Sequence, residues 1–373
     1  MSHIKRYLEQ ADISLQKGTE AESIKDYNLA ADSFLDASEF LFLAAALSPD
    51  EMKSVRVENA EKILRHAVGL ENQKAQEQMI KDNPDYAKGL ALLEELSLKV
   101  VHSTKISFND VAGLDRVKNE IVESVIWPIE HPVEAEMMDI QPGGGVLLYG
   151  PPGTGKTHIS KAIATEVNMS FIEVKTSNLV DQWFGKFEKN IQKVFEAAKL
   201  CSPSVLFFDE VEAIATDRSK TRSSVMKRAV PELLNQFGSI GDNKNHTILI
   251  LGATNVPWGL DPAILRPGRF GEKIYVSPPD LRARIRLFEL GLKNQDTSMI
   301  EFELCGLISD GYSGADITFI CEKVRKTVFR NIIELGEKRQ ISIRDIEEAV
   351  EAVSKSITQD MIDKYEKYRS AHS

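Results

Sequence analysis

The chain has 373 residues, of which 42% are hydrophobic and 27% charged, and its formal net charge is −10. This length accommodates two or three domains with cores of their own. The acidic balance argues against a general nucleic-acid binder, because surplus Lys and Arg hold phosphate backbones. The cysteines Cys201, Cys305 and Cys321 form no Cys-x-x-Cys pair and are odd in number, so the sequence suggests neither a disulfide framework nor a zinc site. With neither a leader nor a bilayer-length apolar run, we expect a cytoplasmic protein with at most indirect membrane contact.

Residues 1–72 are predicted to form a small three-helix domain. Apolar residues recur at helical spacing within 27–35 and 57–68. We expect the helices to break near Gly18 and at 48–50, where a serine precedes a proline. The region carries eight basic and thirteen acidic residues, a net charge of −5. We interpret these charges as a solvated outer face.

Residues 73–105 are predicted to be a linker. Gln, Lys and Glu dominate this stretch, Asn-Pro-Asp interrupts it at 83–85, and a short helix is expected at 90–98. Such a tether would let the front domain capture a target while the rear domain works on it.

From Phe108 onward, short apolar runs alternate with helical stretches, which is typical of an α/β domain with a parallel sheet. We assign 106–279 to this large α/β domain and 280–373 to a helical lid. The predicted strands are 145–149, 171–174, 205–208, 248–251 and 273–276. The predicted lid helices are 281–292, 313–335, 343–354 and 359–369.

The octapeptide at residues 150–157 fits G-x-x-x-x-G-K-[ST] and directly follows the predicted strand 145–149. Its glycines let backbone N–H groups close around a phosphate, Lys156 neutralises phosphate oxygens, and the Thr157 hydroxyl ligates Mg²⁺. The next helix directs its positive dipole end at the same phosphates. A plain Gly/Pro turn is the alternative interpretation. The predicted nucleotide contacts in this segment are Pro152, Gly153, Thr154, Gly155, Lys156, Thr157 and His158.

Two acids, Asp209 and Glu210, end the buried run at 204–208. The carboxyl end of this strand should lie beside the phosphate loop. We assign Asp209 to the Mg²⁺ shell, and we assign Glu210 to accepting the proton of an attacking water. Solvated strand caps are the alternative.

Three more polar residues follow the later strands. Asn255 comes after the run 247–251, where an amide can orient water and sense a γ-phosphate, although an Asx-turn is also possible. Arg266 and Arg269 lie in a Pro/Gly loop. Their planar, permanently charged groups suit a transition-state phosphate. Because they are far from Lys156 along the chain, we expect them to reach a neighbouring subunit's nucleotide.

Together these motifs resemble those of the AAA ATPases from Phe108 to the end. Asp-Val-Ala-Gly at 110–113 and Tyr-Ser-Gly-Ala-Asp at 312–316 complete the pattern. The resemblance implies ATP as the nucleotide, a homo-oligomeric ring (a hexamer), Asn255 as first sensor, and Arg266 and Arg269 as arginine fingers. It also implies that the adenine lies between Val111, Ala112, Gly113, Gly314 and Ala315.

The segment 178–185 resembles the first pore loop of this family, in which Trp183 and Phe184 would grip a polypeptide. Both could instead be core aromatics. Family members commonly continue with Gly-Glu-Ser, whereas this chain has Gly185-Lys186-Phe187. A second pore loop is expected within 218–228.

The front helices resemble the MIT domain of the meiotic and ESCRT-disassembling clade, which includes katanin, spastin and the archaeal cell-division ATPase CdvC. Tetratricopeptide-like hairpins have similar sequences. The resemblance implies a translocase that threads subunits of ESCRT-III-like filaments through a central pore. Two alternatives remain open: a general unfoldase of the valosin-containing-protein or proteasome-activator type, and a DNA-acting AAA switch. The acidic balance and Trp183 argue against the latter.

Overall fold

A computed structural model describes residues 2–24, 26–48, 50–102, 104–140, 144–175, 179, 187–216, 224–241, 246–293, 295–335 and 340–372. The chain divides into two compact units, Met1–Ala87 and Lys88–Ser373. Within the described residues, no helix combines the length and apolar character needed to cross a membrane.

The first unit contains α1 (Ser2–Ser23), α2 (Tyr27–Ala46) and α3 (Asp50–Asp82). The break expected near Gly18 is wrong, because α1 continues through this residue. A Cβ added at Gly18 would lie 3.0 Å from the ring of Phe34. The glycine therefore allows close packing of α1 against α2 and does not end a helix.

Small side chains form much of the core between these helices, with Phe34 among them. The buried members are Ala21, Ala30, Ala31, Phe34, Ala67 and Leu70. Asp26 caps α2 by accepting the backbone N–H of Leu29 at 3.2 Å. The Ser38 hydroxyl donates to the Ala60 carbonyl at 3.0 Å, which joins α2 to α3.

The predicted linker 73–105 contains regular structure. It includes the end of α3, then α4 (Pro84–Glu95) and β1 (Val100–Val101). The Asn83 side chain accepts the Asp85 N–H at 3.0 Å, which explains the break before α4. From Lys88 onward the chain belongs to the second unit. There, a Cβ on Gly89 would lie 2.7 Å from the Cys201 sulfur, so α4 packs closely in this unit.

The second unit is built on a six-stranded sheet with the order β1-β3-β4-β5-β2-β6. β1 pairs antiparallel with β3, and the other neighbours are parallel. The remaining strands are β2 (Gly144–Tyr149), β3 (Ser170–Lys175), β4 (Ser204–Asp209), β5 (Ile248–Thr254) and β6 (Phe270–Tyr275). β5 lies between β2 and β4. The loops after these three strands therefore meet at one edge of the sheet, the carboxyl edge.

Helices cover the sheet and form the predicted lid. The sheet-associated helices are α5 (Asp115–Ile121), α6 (Trp127–Glu130), α7 (Pro132–Met137), α8 (Lys156–Glu166), α9 (Phe187–Leu200), α10 (Glu212–Ala215) and α11 (Ser224–Gly241). The later helices are α12 (Leu281–Leu292), α13 (Phe302–Ile308), α14 (Gly314–Leu335), α15 (Ile343–Glu351) and α16 (Gln359–His372). A π-helical segment, 122–126, joins α5 to α6.

Separate hydrophobic cores support the sheet and the lid. Val146, Leu148 and Leu251 belong to the core on one face of the sheet. Phe288 and Ile317 belong to the core between the lid helices. The last helix, α16, differs from the rest of the predicted lid, because it packs against residues of β2 and β6 through an aromatic cluster.

Candidate nucleotide site

The phosphate loop begins at the carboxyl end of β2, as the sequence predicts. The N–H of Gly150 donates to the carbonyl of Thr254 at 3.4 Å, so the loop starts beside the end of β5. Gly153 and Gly155 have φ angles of +74° and +91°, a conformation that favours glycine. A Cβ added at Gly155 would meet no atom within 4 Å. Open space therefore lies beside Gly155 at the start of α8, where the motif predicts a phosphate.

Lys156 lies at the start of α8 and is buried. Its ammonium donates to the carbonyls of Gly150 at 2.9 Å and Pro151 at 2.7 Å. Burial lowers the pKa of Lys156 to about 8, and the nearby charges of Glu212 and Asp209 partly oppose this effect. The Lys156 ammonium is thus held at the loop by two neutral carbonyl oxygens, and a phosphate, which is a stronger acceptor, can replace them.

Thr157 and Asp209 meet across the space between α8 and β4. The Thr157 hydroxyl donates to Asp209 Oδ2 at 3.1 Å. Two hard oxygen donors at this spacing suit Mg²⁺, which keeps most of its ligands as water and phosphate oxygens. These residues fit the metal that the motif implies, and bound Mg²⁺ would supply charge stabilisation for phosphoryl transfer.

Glu210 adopts a left-handed conformation with φ of 51°, and its N–H donates to Asp209 Oδ1 at 3.0 Å. A non-glycine residue in this region carries backbone strain, which is common at functional sites. Glu210 is exposed, unlike the strand that precedes it. Its carboxylate can accept a proton from a water at the carboxyl edge.

Asn255 directly follows β5 at the same edge. Its N–H donates to Glu212 Oε1 at 3.3 Å. Its own side-chain oxygen is buried and has no hydrogen-bond partner among the described residues. The structure therefore brings Lys156, Asp209 and Asn255 to one place, as the sequence predicts for a nucleotide site.

The lid reaches the phosphate loop directly. The N–H of Ala315 donates to the Gly153 carbonyl at 3.1 Å. A Cβ added at Gly153 would lie 2.7 Å from the Ser313 hydroxyl and 2.9 Å from the Ala315 Cβ. The predicted nucleotide residues Gly314 and Ala315 thus lie against the loop, and their adenine contacts stay predictions.

The Val111–Gly113 segment also lies close to this region. The carbonyl of Asp110 is 3.3 Å from Nε2 of His158, and the Lys118 ammonium donates to the Val111 carbonyl at 2.7 Å. Gly113 approaches the start of α12 so closely that a Cβ would lie 2.5 Å from that of Ala283. This segment therefore joins α8 to the lid.

The two predicted arginine fingers lie elsewhere. β2 and β6 run parallel, with Gly145 opposite Phe270. Arg266 and Arg269 thus precede β6 at the amino edge of the sheet, whereas the phosphate loop follows Tyr149 at the carboxyl edge. The strand from Gly145 to Tyr149 spans roughly 13 Å. One copy of the chain therefore does not bring these arginines to its own phosphate loop.

The predicted pore residues Trp183 and Phe184 fall outside the described residues. So does most of the predicted second pore loop, 218–228, of which the structure gives only the backbone from Ser224 onward. Their roles stay predictions.

The sequence interpretation missed two residues of this site. Glu212 comes two residues after Glu210 and accepts a hydrogen bond from the Asn255 backbone N–H. As a third acid close to Asp209 and Glu210, it is the only hint that the sequence offers for this contact. Tyr365 of α16 donates its hydroxyl to the Asn255 carbonyl. The spacing of Tyr365 and Tyr368 predicts a packed helix face, but no local signal indicates which strand it contacts.

Comparisons with known proteins agree with this geometry. Residues 146–278 match the family described as "ATPase family associated with various cellular activities (AAA)". The chain is 35% identical over 297 residues to a "Cell division cycle protein 48 homolog" of Archaeoglobus fulgidus, covering 76% of this chain and 40% of that protein. It is also 35% identical over 306 residues to "Protein SAV" of Sulfolobus acidocaldarius, covering 74% of this chain and 38% of that protein.

The chain thus spans about two fifths of the length of these curated relatives. Among solved structures, it resembles the one described as "Crystal structure of FIGL-1 AAA domain", with a TM-score of 0.67 and 29% identity. That match covers 76% of this chain and 95% of the solved chain. The chain is therefore similar to the FIGL-1 AAA domain in sequence as well as in fold.

Proposed function

We propose that this chain, a member of the AAA family of ATPases, hydrolyses ATP and works as a ring-forming, Mg²⁺-dependent protein translocase that remodels ESCRT-III-like filaments in the cytoplasm. The observation that carries this proposal is the separation of Arg266 and Arg269 from the phosphate loop of their own copy. An arginine that stabilises the transferring phosphate can be supplied by a neighbouring subunit when it cannot reach the phosphate of its own subunit. A head-to-tail ring, for which we propose six copies, places one copy's amino edge beside the next copy's carboxyl edge.

The N-terminal unit is the proposed recruiting element, an MIT-like domain. Its helices expose apolar side chains beside the turn between α2 and α3, namely Leu43, Leu47, Met52 and Val55, and we call these residues the turn patch. They are 39%, 53%, 50% and 55% exposed. An amphipathic helix could lay its apolar face on such a surface. Because residues 1–72 carry a net charge of −5, the complementary partner is a helix with basic flanks.

A binding experiment with the full-length chain tests recruitment. We expect Leu43→Glu to weaken binding of an ESCRT-III-like filament protein by about tenfold or more, because it places a charge in an apolar contact. Its basal ATPase activity should not change. Ile13→Glu is the matched control, since Ile13 is 60% exposed on α1 and lies outside the turn patch. Equal binding by both variants and the unaltered chain would contradict the proposed recruiting surface.

Glu210→Gln tests the coupling between hydrolysis and substrate capture. Without its proton acceptor, the variant should bind ATP and retain the filament protein, while turnover falls by about 10² to 10⁴. The captured protein can then be identified after a pull-down with ATP. Normal turnover by this variant would remove Glu210 from the catalytic assignment.

A general unfoldase is the second candidate, and the 35% identity to the Cell division cycle protein 48 homolog favours it. The two functions differ in their dependence on the N-terminal unit. ATP-driven unfolding of an unrelated fluorescent protein, unaffected by Leu43→Glu, would support the general unfoldase. Dependence on the turn patch and on a filament protein would support the first proposal.

A further inference from the structure

The backbone of Asn255 is held from two sides by side chains. Glu212, at the start of α10, accepts its N–H at 3.3 Å. Tyr365, in the middle of α16, donates its hydroxyl to the Asn255 carbonyl. These two residues come from distant parts of the chain. Asn255 follows β5, which lies between the strands that lead to the phosphate loop and to Asp209 and Glu210. The backbone of Asn255 is therefore held partly by the last helix.

The Tyr365 side chain has little freedom to move. It is 1% exposed, and its ring lies 5.0 Å from that of Trp258 and 6.0 Å from that of Tyr275, measured between centroids. Tyr149, the last residue of β2, contacts Tyr368 edge to face at 5.3 Å. Aromatic contacts of this kind fix ring orientation. The direction of the Tyr365 hydroxyl is thus set by packing, independently of the bond that it makes.

The Asn255 side chain is not fixed by bonds of its own. Its Oδ1 is buried without a hydrogen-bond partner among the described residues, and the same holds for Oε2 of Glu212. A buried polar atom without a partner is costly and is often found where a ligand or water completes the site. Because only two side-chain torsions separate the Asn255 amide from its backbone, a shift of the backbone also shifts the amide.

We propose that Tyr365 is a positioning residue for ATP hydrolysis, acting through the Asn255 backbone together with Glu212. In this arrangement, the docking of α16 sets the orientation of the Asn255 amide toward the water and phosphate. Nucleotide binding depends on the phosphate loop and does not require this contact. The inference rests on the ATPase activity and on the predicted role of Asn255, and it is independent of the proposed filament substrate.

Tyr365→Phe in the full-length chain removes the hydroxyl and keeps the ring. We expect kcat for ATP hydrolysis to fall roughly three- to tenfold, the equivalent of one hydrogen bond. The KM for ATP should stay within about twofold of the original, because the phosphate loop is untouched. A purely structural role for the hydroxyl would lower thermal stability without this separation of kcat from KM, and that result would overturn the proposal.

Tyr368→Phe is the matched control. Tyr368 lies three residues further along the same helix and in the same aromatic cluster, and its buried hydroxyl has no hydrogen-bond partner among the described residues. Loss of the Tyr368 hydroxyl should leave kcat unchanged. Equal effects of the two substitutions would show that kcat responds to packing of α16 and not to the Asn255 contact.

A double-mutant cycle tests whether Tyr365 acts through Asn255. Asn255→Ala alone should lower kcat, and adding Tyr365→Phe should then have no further effect. If Asn255→Ala leaves kcat intact, the predicted role of Asn255 fails. If Tyr365→Phe lowers kcat equally with and without Asn255, the tyrosine acts by another route and the positioning role is refuted.

Glu212 gives an independent check of the same arrangement. Glu212→Gln keeps an oxygen that can accept the Asn255 N–H, whereas Glu212→Ala removes it. We expect the glutamine variant to retain more of kcat than the alanine variant. The reverse order would contradict a positioning role for this residue.

Discussion

The carboxyl and amino edges of the sheet differ in what they hold. The carboxyl edge gathers Lys156, Thr157, Asp209 and Asn255 around the phosphate loop. The amino edge carries Arg266 and Arg269 on the loop before β6, where Arg266 is exposed and Arg269 donates to the carbonyl of Ala263. In the proposed ring, one copy therefore binds nucleotide at its carboxyl edge and receives the remaining catalytic charge from the amino edge of a second copy.

The largest expected effect is at the carboxyl edge itself. Lys156→Ala should weaken ATP binding by about a hundredfold, because a charged donor to phosphate contributes about 1.5–3 kcal/mol. Titration with a fluorescent ATP analogue measures this. Lys161→Ala is the control, since Lys161 is on the same helix but pairs with Glu173 at 3.0 Å. Similar affinity in both variants would mean that the phosphates bind elsewhere.

A loss of about the same size is expected at the amino edge, but in hydrolysis and not in ATP binding. Arg269→Lys keeps the charge but loses the planar fork, and we expect hydrolysis to fall by about 10² while ATP affinity stays the same. Arg286→Lys is the control, because Arg286 is half-exposed on α12 and pairs with Glu289 at 2.8 Å. A parallel loss of ATP affinity in Arg269→Lys would place this arginine in the nucleotide site of its own copy.

The smallest of these effects concerns the contact between the phosphate loop and the lid. Gly153→Ala would bring a Cβ within 2.7 Å of Ser313 at a residue with φ of +74°. The strain of about 1–3 kcal/mol should lower ATP affinity roughly tenfold. Gly238→Ala in α11 is the control, since an added Cβ there meets nothing within 4 Å. Unchanged affinity in Gly153→Ala would show that the lid contact does not shape the loop.

Much of the catalytic unit follows from the sequence because its chemistry constrains residue types. The phosphate loop must be glycine-rich, and a buried parallel strand must be continuously apolar, so β2, β3, β4 and β5 were all located. Helix α12 was predicted at its observed bounds, Leu281–Leu292. The predicted AAA fold is therefore confirmed.

Two kinds of feature could not be predicted: very short elements, and contacts between residues that are distant along the chain. β1 has only two residues and α13 has seven, and both are too short for a clear periodicity. The sequence indicates a helix break at Gly18, because the close contact of this glycine with Phe34 is visible only in the fold. Tyr365 lies 110 residues from Asn255, so the hydrogen bond between them leaves no local pattern.

A mixing experiment tests most directly whether hydrolysis is shared between copies. Glu210→Gln keeps the arginines and lacks the proton acceptor, whereas Arg269→Ala keeps the acceptor and lacks an arginine. Each should be nearly inactive alone. In mixed rings, sites that combine the intact halves should restore activity to about a quarter of the original level at a one-to-one ratio, since one interface in four pairs them correctly. Activity equal to the average of the two inactive variants would contradict a shared site.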